Sequence, residues 1–144
     1  MAVLLFAITI ANAQMKNRWS KSDEAALMQA NKDVFAHYYK PASFKVFKLD
    51  EAAFKTDLLA APSIEKVAAG KSSFIISVPN SAGSFEKFRV VEAPVMEKEL
   101  AVQYPEIKSY AGQGIDEPSS TIRFSVTPLG FNAIILSSVR KTIY

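Results

Sequence analysis

No cysteine occurs among the 144 residues, and histidine occurs once, at His37. The first absence removes disulfides, thiol nucleophiles and thiolate zinc sites, so stability must come from burial of apolar surface. The second leaves no HExxH pair, and metalloprotease chemistry is not expected within this chain. A Ser–His–Asp triad would have to use His37, yet no serine stands in a nucleophile-elbow pattern. In the run Phe35-Ala36-His37-Tyr38-Tyr39, the histidine reads as a partly exposed structural residue rather than a base. Charge of one sign is also scarce. The formal charge is only +3, and Lys45, Lys48, Lys55, Lys66 and Lys71 are scattered singly with acidic residues between them. Nucleic-acid binding calls for a clustered basic patch, so no nucleic-acid partner is expected.

What is present is core material. Apolar residues make up 49% and charged residues 22%, the balance of a globular domain rather than a disordered tail. Ten Phe and five Tyr supply bulk for one core, and the length suits a single domain. The longest apolar run, Val3 to Ile10, stands at the start and is followed by Ala11-Asn12-Ala13 and then Gln14. A short apolar segment closed by a small-x-small site predicts a secretory signal peptide over residues 1–13, cleaved after Ala13 with Ala11 and Ala13 as the recognised pair. Spanning a bilayer takes about 20 apolar residues, so no membrane span is expected. No Lys or Arg precedes the run; either the start is truncated or Met1 is an internal methionine. The expected location is secreted, extracellular or periplasmic.

Residues 14–43 read as a polar lead-in, in which Ser22-Asp23-Glu24 could open a short helix through Met28. From 44 to 144 the pattern is α+β, mostly antiparallel sheet built of hairpins with two short helices covering one face. Phe44 to Leu49 reads as a strand. Asp50 then suits an N-cap for a helix over 51–61, with Phe54, Leu58 and Ala61 on one stripe and Pro62 as its stop. Ser63 to Gly70 is a small-residue connection where looseness is expected. Phe74, Ile76 and Val78 alternate on one face of a strand over 72–79, Asn80 to Gly83 is turn material, and 84–91 returns. Pro94 suits the first turn of a second helix, with Met96, Leu100 and Tyr104 on its stripe and Pro105 at its end. Thr121 to Thr127 should bury Ile122, Phe124 and Val126 and expose Arg123 and Ser125. Thr127-Pro128-Leu129-Gly130 fits a tight turn into a strand over 131–137, and a further apolar stretch begins at Ile143-Tyr144.

The residues able to do chemistry are few, and each has a plainer role. Glu97 and Glu99 lie two apart on the expected second helix and so point to different faces. Asp116 and Glu117 precede Pro118, where acidic residues commonly form turns. Gly112 and Gly114 lack the strand-to-helix setting and the third glycine of a phosphate loop. They read instead as part of a loop over 112–118 that can bend tightly or approach another surface. Phe85, Phe88, Tyr104 and Tyr110 could form a stacking platform, though core packing is the commoner use.

The run PEIKSYAGQGIDEPSSTIRFSVTPLGFNAIIL resembles the N-terminal prodomain of secreted bacterial zinc metallopeptidases of the reprolysin-like (ADAM-like metzincin) group. The matching features are Tyr110, Gly112 and Gly114, then Ile122-Arg123-Phe124-Ser125, then Gly130-Phe131 and Ala133. Upstream, FKVFKLDEAAFKTDL and FRVVEAPVMEKELAVQYPEIKSY are similar to that family's strand–helix units, so the resemblance covers roughly residues 44–144. It implies a precursor made of signal peptide, prodomain and a zinc catalytic domain after Tyr144. The prodomain would be a monomer without a cofactor of its own, binding that catalytic domain in cis, assisting its folding and holding it latent. Many such prodomains silence the zinc with a cysteine, which is absent here; inhibition would be steric or use a carboxylate, with Asp116 the candidate ligand within the interaction loop of Gly112, Gly114, Asp116 and Glu117. The alternative is a free-standing exported binding or adhesion module, and an independent hydrolase stands third because the catalytic inventory is empty.

Overall fold

A computed structural model describes residues 16–23, 44–138 and 141–143, the last three as backbone. The expected signal segment with Ala11 and Ala13, the helix expected beyond Asp23, and His37 lie outside the described residues. The fold is α+β, as the patterning implies. A two-stranded ribbon pairs β1 (Trp19–Lys21) with β2 (Phe47–Leu49). A six-stranded antiparallel sheet follows in chain order: β3 (Ile75–Pro79), β4 (Phe85–Glu92), β5 (Lys108–Gly114), β6 (Thr121–Thr127), β7 (Gly130–Leu136) and β8 (Lys141–Ile143). Helix α1 spans Glu51–Leu58 and helix α2 spans Lys98–Gln103.

Strand alternation sorts the sheet into two faces. Ile122, Phe124 and Val126 are buried on the inner face, while Arg123 is exposed and Ser125 half-buried on the outer one. Phe74, Ile76 and Val78 are likewise buried. The β3–β4 turn is closed by Asn80, whose side-chain oxygen accepts from the amides of Ala82 and Ser84. Gly83 takes the positive φ of 85° that a side chain would resist there. The β6–β7 turn needs only Pro128 and Leu129, with Gly130 at φ 117° on its far side.

Helix α1 covers the inner face. Asp50 caps it, accepting from the Ala53 amide at 3.2 Å, and Phe54 and Leu58 are buried against Phe88, Tyr110, Ile122 and Phe124. Burying a side chain of that size stabilises by about 1.5–3 kcal/mol. Trp19 and Phe131 close the margin, with ring centroids 5.4 Å apart and edge to face. The ribbon is pinned to the helix by Arg18, whose Nε lies 2.7 Å from Asp57 Oδ2 and whose second nitrogen lies 3.1 Å from Oδ1. That bond is the main reason the Arg18 pKa is pushed up. α1 ends at Leu58 rather than 61, because the amides of Leu59, Ala60 and Ala61 reach back only three residues, tightening the last turn. β2 likewise begins at Phe47, three residues later than the pattern implies.

Two further expectations are corrected. The connection over 63–70 is tied to the sheet: the Ile64 amide donates to Glu92 O, and the Glu92 amide donates to Pro62 O. Ala69 packs on Val91, Ala93 and Ala111 of the outer face, and Arg89 donates to Ser72 O. The second helix begins at Lys98, four residues after Pro94, and buries none of its side chains; Leu100 is 45% exposed and Tyr104 46%. The two helices therefore do not share the covering of one face.

Candidate interaction surface

Gly112 and Gly114 fall within strand β5, not in a loop. Gly112 stands between Val90 of β4 and Ile122 of β6 in the register. A Cβ there would lie 2.7 Å from Ile122 Cγ2 and 2.9 Å from Arg89 O, so bulky neighbours on both sides require its absence. A Cβ on Gly114 would collide with the Ser120 hydroxyl and the Glu117 carbonyl. The glycines permit close approach of the chain to itself, which accounts for them without an external surface.

The connection after β5 is well fastened. The Ser120 amide and hydroxyl both donate to Glu117 O, at 2.9 and 2.8 Å, and Gln113 Nε2 donates to Pro118 O at 2.9 Å. Asp116 is exposed, and its Oδ2 accepts from the Lys87 amide at 3.3 Å, next to the bond from the Ile115 amide to Lys87 O. Its carboxylate thus carries the β4–β5 ladder one residue further. Glu117 instead accepts from the Ser119 hydroxyl at 2.9 Å. The neighbouring carboxylates therefore serve different partners. Glu97 and Glu99 sit at the N-cap and first turn of α2, apart from both. Among the described residues, no three metal-capable side chains gather into a group.

The four aromatics do not form a platform either. Phe88 is buried, and Phe85 meets Phe47 edge to face at 5.9 Å. Tyr110 stacks on Phe124 at 4.8 Å within the inner core. Burial, helped by the charge of Glu92 opposite it, pushes the Tyr110 hydroxyl up to about 12.

A site not anticipated from the sequence lies on the outer face. A shallow groove of about 380 Å³ runs across β5, β6 and β7 beside Ala93 and Val95. Ser109, Ser125 and Asn132 stand directly opposite one another along it, forming a polar row across three strands. The next row contains Ala111, Arg123 and Ile134. Ala69 covers this face at Val91 and Ala111; the groove lies further along the same rows, over β6 and β7. A partial signal was present in the sequence. The two-residue turn at Pro128-Leu129 fixes Ser125 opposite Asn132 and Arg123 opposite Ile134, and period two puts them all on one face. What periodicity does not contain is whether that face is covered.

No helix among the described residues is long and apolar enough to cross a membrane. Compared with protein-family models, with curated proteins and with solved structures, the chain matches none of them.

Proposed function

We propose that this chain is the non-catalytic propeptide domain of an exported zinc metalloendopeptidase precursor, helping the catalytic domain fold and holding it latent in cis. The reading rests on the resemblance across residues 44–144. One observation supports it most. Five of the positions that carry the resemblance meet in space, with Tyr110, Phe124 and Ala133 directly opposite one another across three strands and Gly112 opposite Ile122. They form one packing unit, as expected of residues that define a shared fold rather than a chance string. Latency would be steric, because no cysteine is available and Asp116 is already engaged by Lys87.

The test begins with the coding sequence after Tyr144, where an HExxHxxGxxH motif is expected in the same frame. Expressed with this chain, that catalytic domain should be soluble and inactive; expressed without it, the domain should aggregate. A frame without a zinc motif would sink the proposal. The second reading, an exported binding module, is favoured by the outer-face groove, which could serve a partner in either setting.

A further inference from the structure

We infer that the outer-face groove across β5–β7 binds an extended, acidic peptide segment of a partner protein, with Arg123 receiving its carboxylate. The inference stands whether that partner is joined to this chain or separate. Three ion pairs join described residues: Arg18 with Asp57, Lys55 with Glu51 and Lys108 with Glu92. Arg123 belongs to none of them, although it is exposed in the middle of a groove that contains no acidic residue. Arg89, on the same face, is occupied by the Ser72 carbonyl. A guanidinium presents a planar fork that matches a carboxylate through two parallel hydrogen bonds.

The surroundings of Arg123 fit a peptide. Ser109, Ser125 and Asn132 make no side-chain hydrogen bond to another described residue, and they line up across the strands. Hydroxyl and amide groups both donate and accept, as the alternating N–H and C=O groups of an extended backbone require. Val95, 78% exposed, and the half-buried Ile134 supply apolar contact for side chains flanking the acidic one. An acidic sugar would share the carboxylate, but the nearby rings of Tyr110 and Phe124 stack on each other within the inner core. No aromatic face is left in the groove for a sugar ring.

The experiment titrates the isotope-labelled full chain with a capped heptapeptide, Gly-Ser-Val-Glu-Val-Ser-Gly, and with its counterpart carrying Gln for Glu, read by amide chemical shifts. Saturable shifts are expected at Ser109, Arg123, Ser125 and Asn132, with a Kd on the order of 1 mM for so small an interface. The Gln peptide should bind about tenfold more weakly. Arg123→Gln should bind both peptides alike, and Arg123→Lys should keep only part of the preference. Because the Glu-to-Gln change lies in the peptide, the result does not depend on how the variants fold. Equal binding of the two peptides to the parent chain, absence of saturable shifts, or shifts centred outside the groove would overturn the inference. So would glucuronic acid shifting the same amides at lower concentration than the Glu peptide.

Discussion

Helices α1 and α2 each carry large apolar residues four positions apart, Phe54 and Leu58 in one, Leu100 and Tyr104 around the other. The first pair is buried and the second stands half exposed. The difference lies in what surrounds each helix. α1 has a side-chain cap at Asp50, an ion pair from Asp57 to the ribbon, and a site on the inner face of the sheet. α2 has no side-chain cap and joins β4 to β5, which pair antiparallel as neighbours. Such a connection needs no crossover, so nothing obliges it to lie across a face. A stripe at helical spacing states what a helix could bury; topology decides whether there is anything to bury it against.

The largest expected effect tests that contrast directly. Phe54→Ala removes a fully buried ring from the centre of the core and should cost about 3–5 kcal/mol in chemical denaturation. Leu100→Ala, on the exposed helix, should change stability by no more than about 0.5 kcal/mol. Comparable losses from the two would mean that α2 packs on something and would break the comparison.

The next effect moves the contrast from helices to a strand. Gly112 sits between Val90 and Ile122 on neighbouring strands, and Gly112→Ala forces its methyl group against Ile122 and the Arg89 carbonyl. Overpacking of this kind should cost about 1–3 kcal/mol. Were Gly112 part of a yielding loop, the same substitution would be nearly neutral, and a thermal melt separates the two.

That residue also marks the boundary of what could be read without a structure. The strands over 72–79, 84–91, 121–127 and 131–137 and the cap at Asp50 were legible because period-two alternation and turn chemistry are local properties. Gly112 and Gly114 were not legible as strand residues. Their reason for being glycine is the bulk of Val90 and Ile122 on neighbouring strands and the folding back of Ser120, all long-range facts. The binding of Asp116 to the Lys87 amide, 29 residues away, was hidden for the same reason. The polar row in the groove was half legible: its β6–β7 pairing follows from a two-residue turn, whereas Ser109 joins it only through the β5 register.

Tyr110 sharpens the contrast between buried and exposed stripes through pH. Its folded pKa of about 12 lies above the ordinary value of 10.0, so the unfolded chain gives up this proton first. The stabilisation is therefore complete below about pH 10 and is lost as pH rises through 12. The slope in that window is at most about 1.4 kcal/mol per pH unit, and smaller because the Tyr110 hydroxyl is only partly buried. Denaturation curves of the parent and Tyr110→Phe, compared between about pH 9 and pH 11.5, should diverge only above about pH 10. Parallel curves throughout would mean that the tyrosine is solvated like an exposed one.

The smallest effect concerns Asp116, whose exposed side chain makes one long hydrogen bond, to the Lys87 amide. Removing that bond in Asp116→Ala should cost about 0.5–1 kcal/mol, since the carboxylate is exposed and water replaces much of what is lost. Asp116→Asn keeps an acceptor oxygen for the Lys87 amide, so its stability should stay within about 0.5 kcal/mol of the parent. The pair of variants distinguishes a structural carboxylate from a zinc ligand. A neutral amide oxygen is a poor substitute for carboxylate on zinc, which prefers Cys, His and ionised Asp or Glu. If Asp116 silenced a catalytic zinc in the precursor, Asp116→Asn would release early proteolysis with the domain's stability intact. If it only extends the β4–β5 ladder, both variants would keep the precursor latent, and only Asp116→Ala would melt earlier. The contact with Lys87 favours the second outcome, because a side chain already paired with a backbone amide would have to give up that bond before reaching a metal.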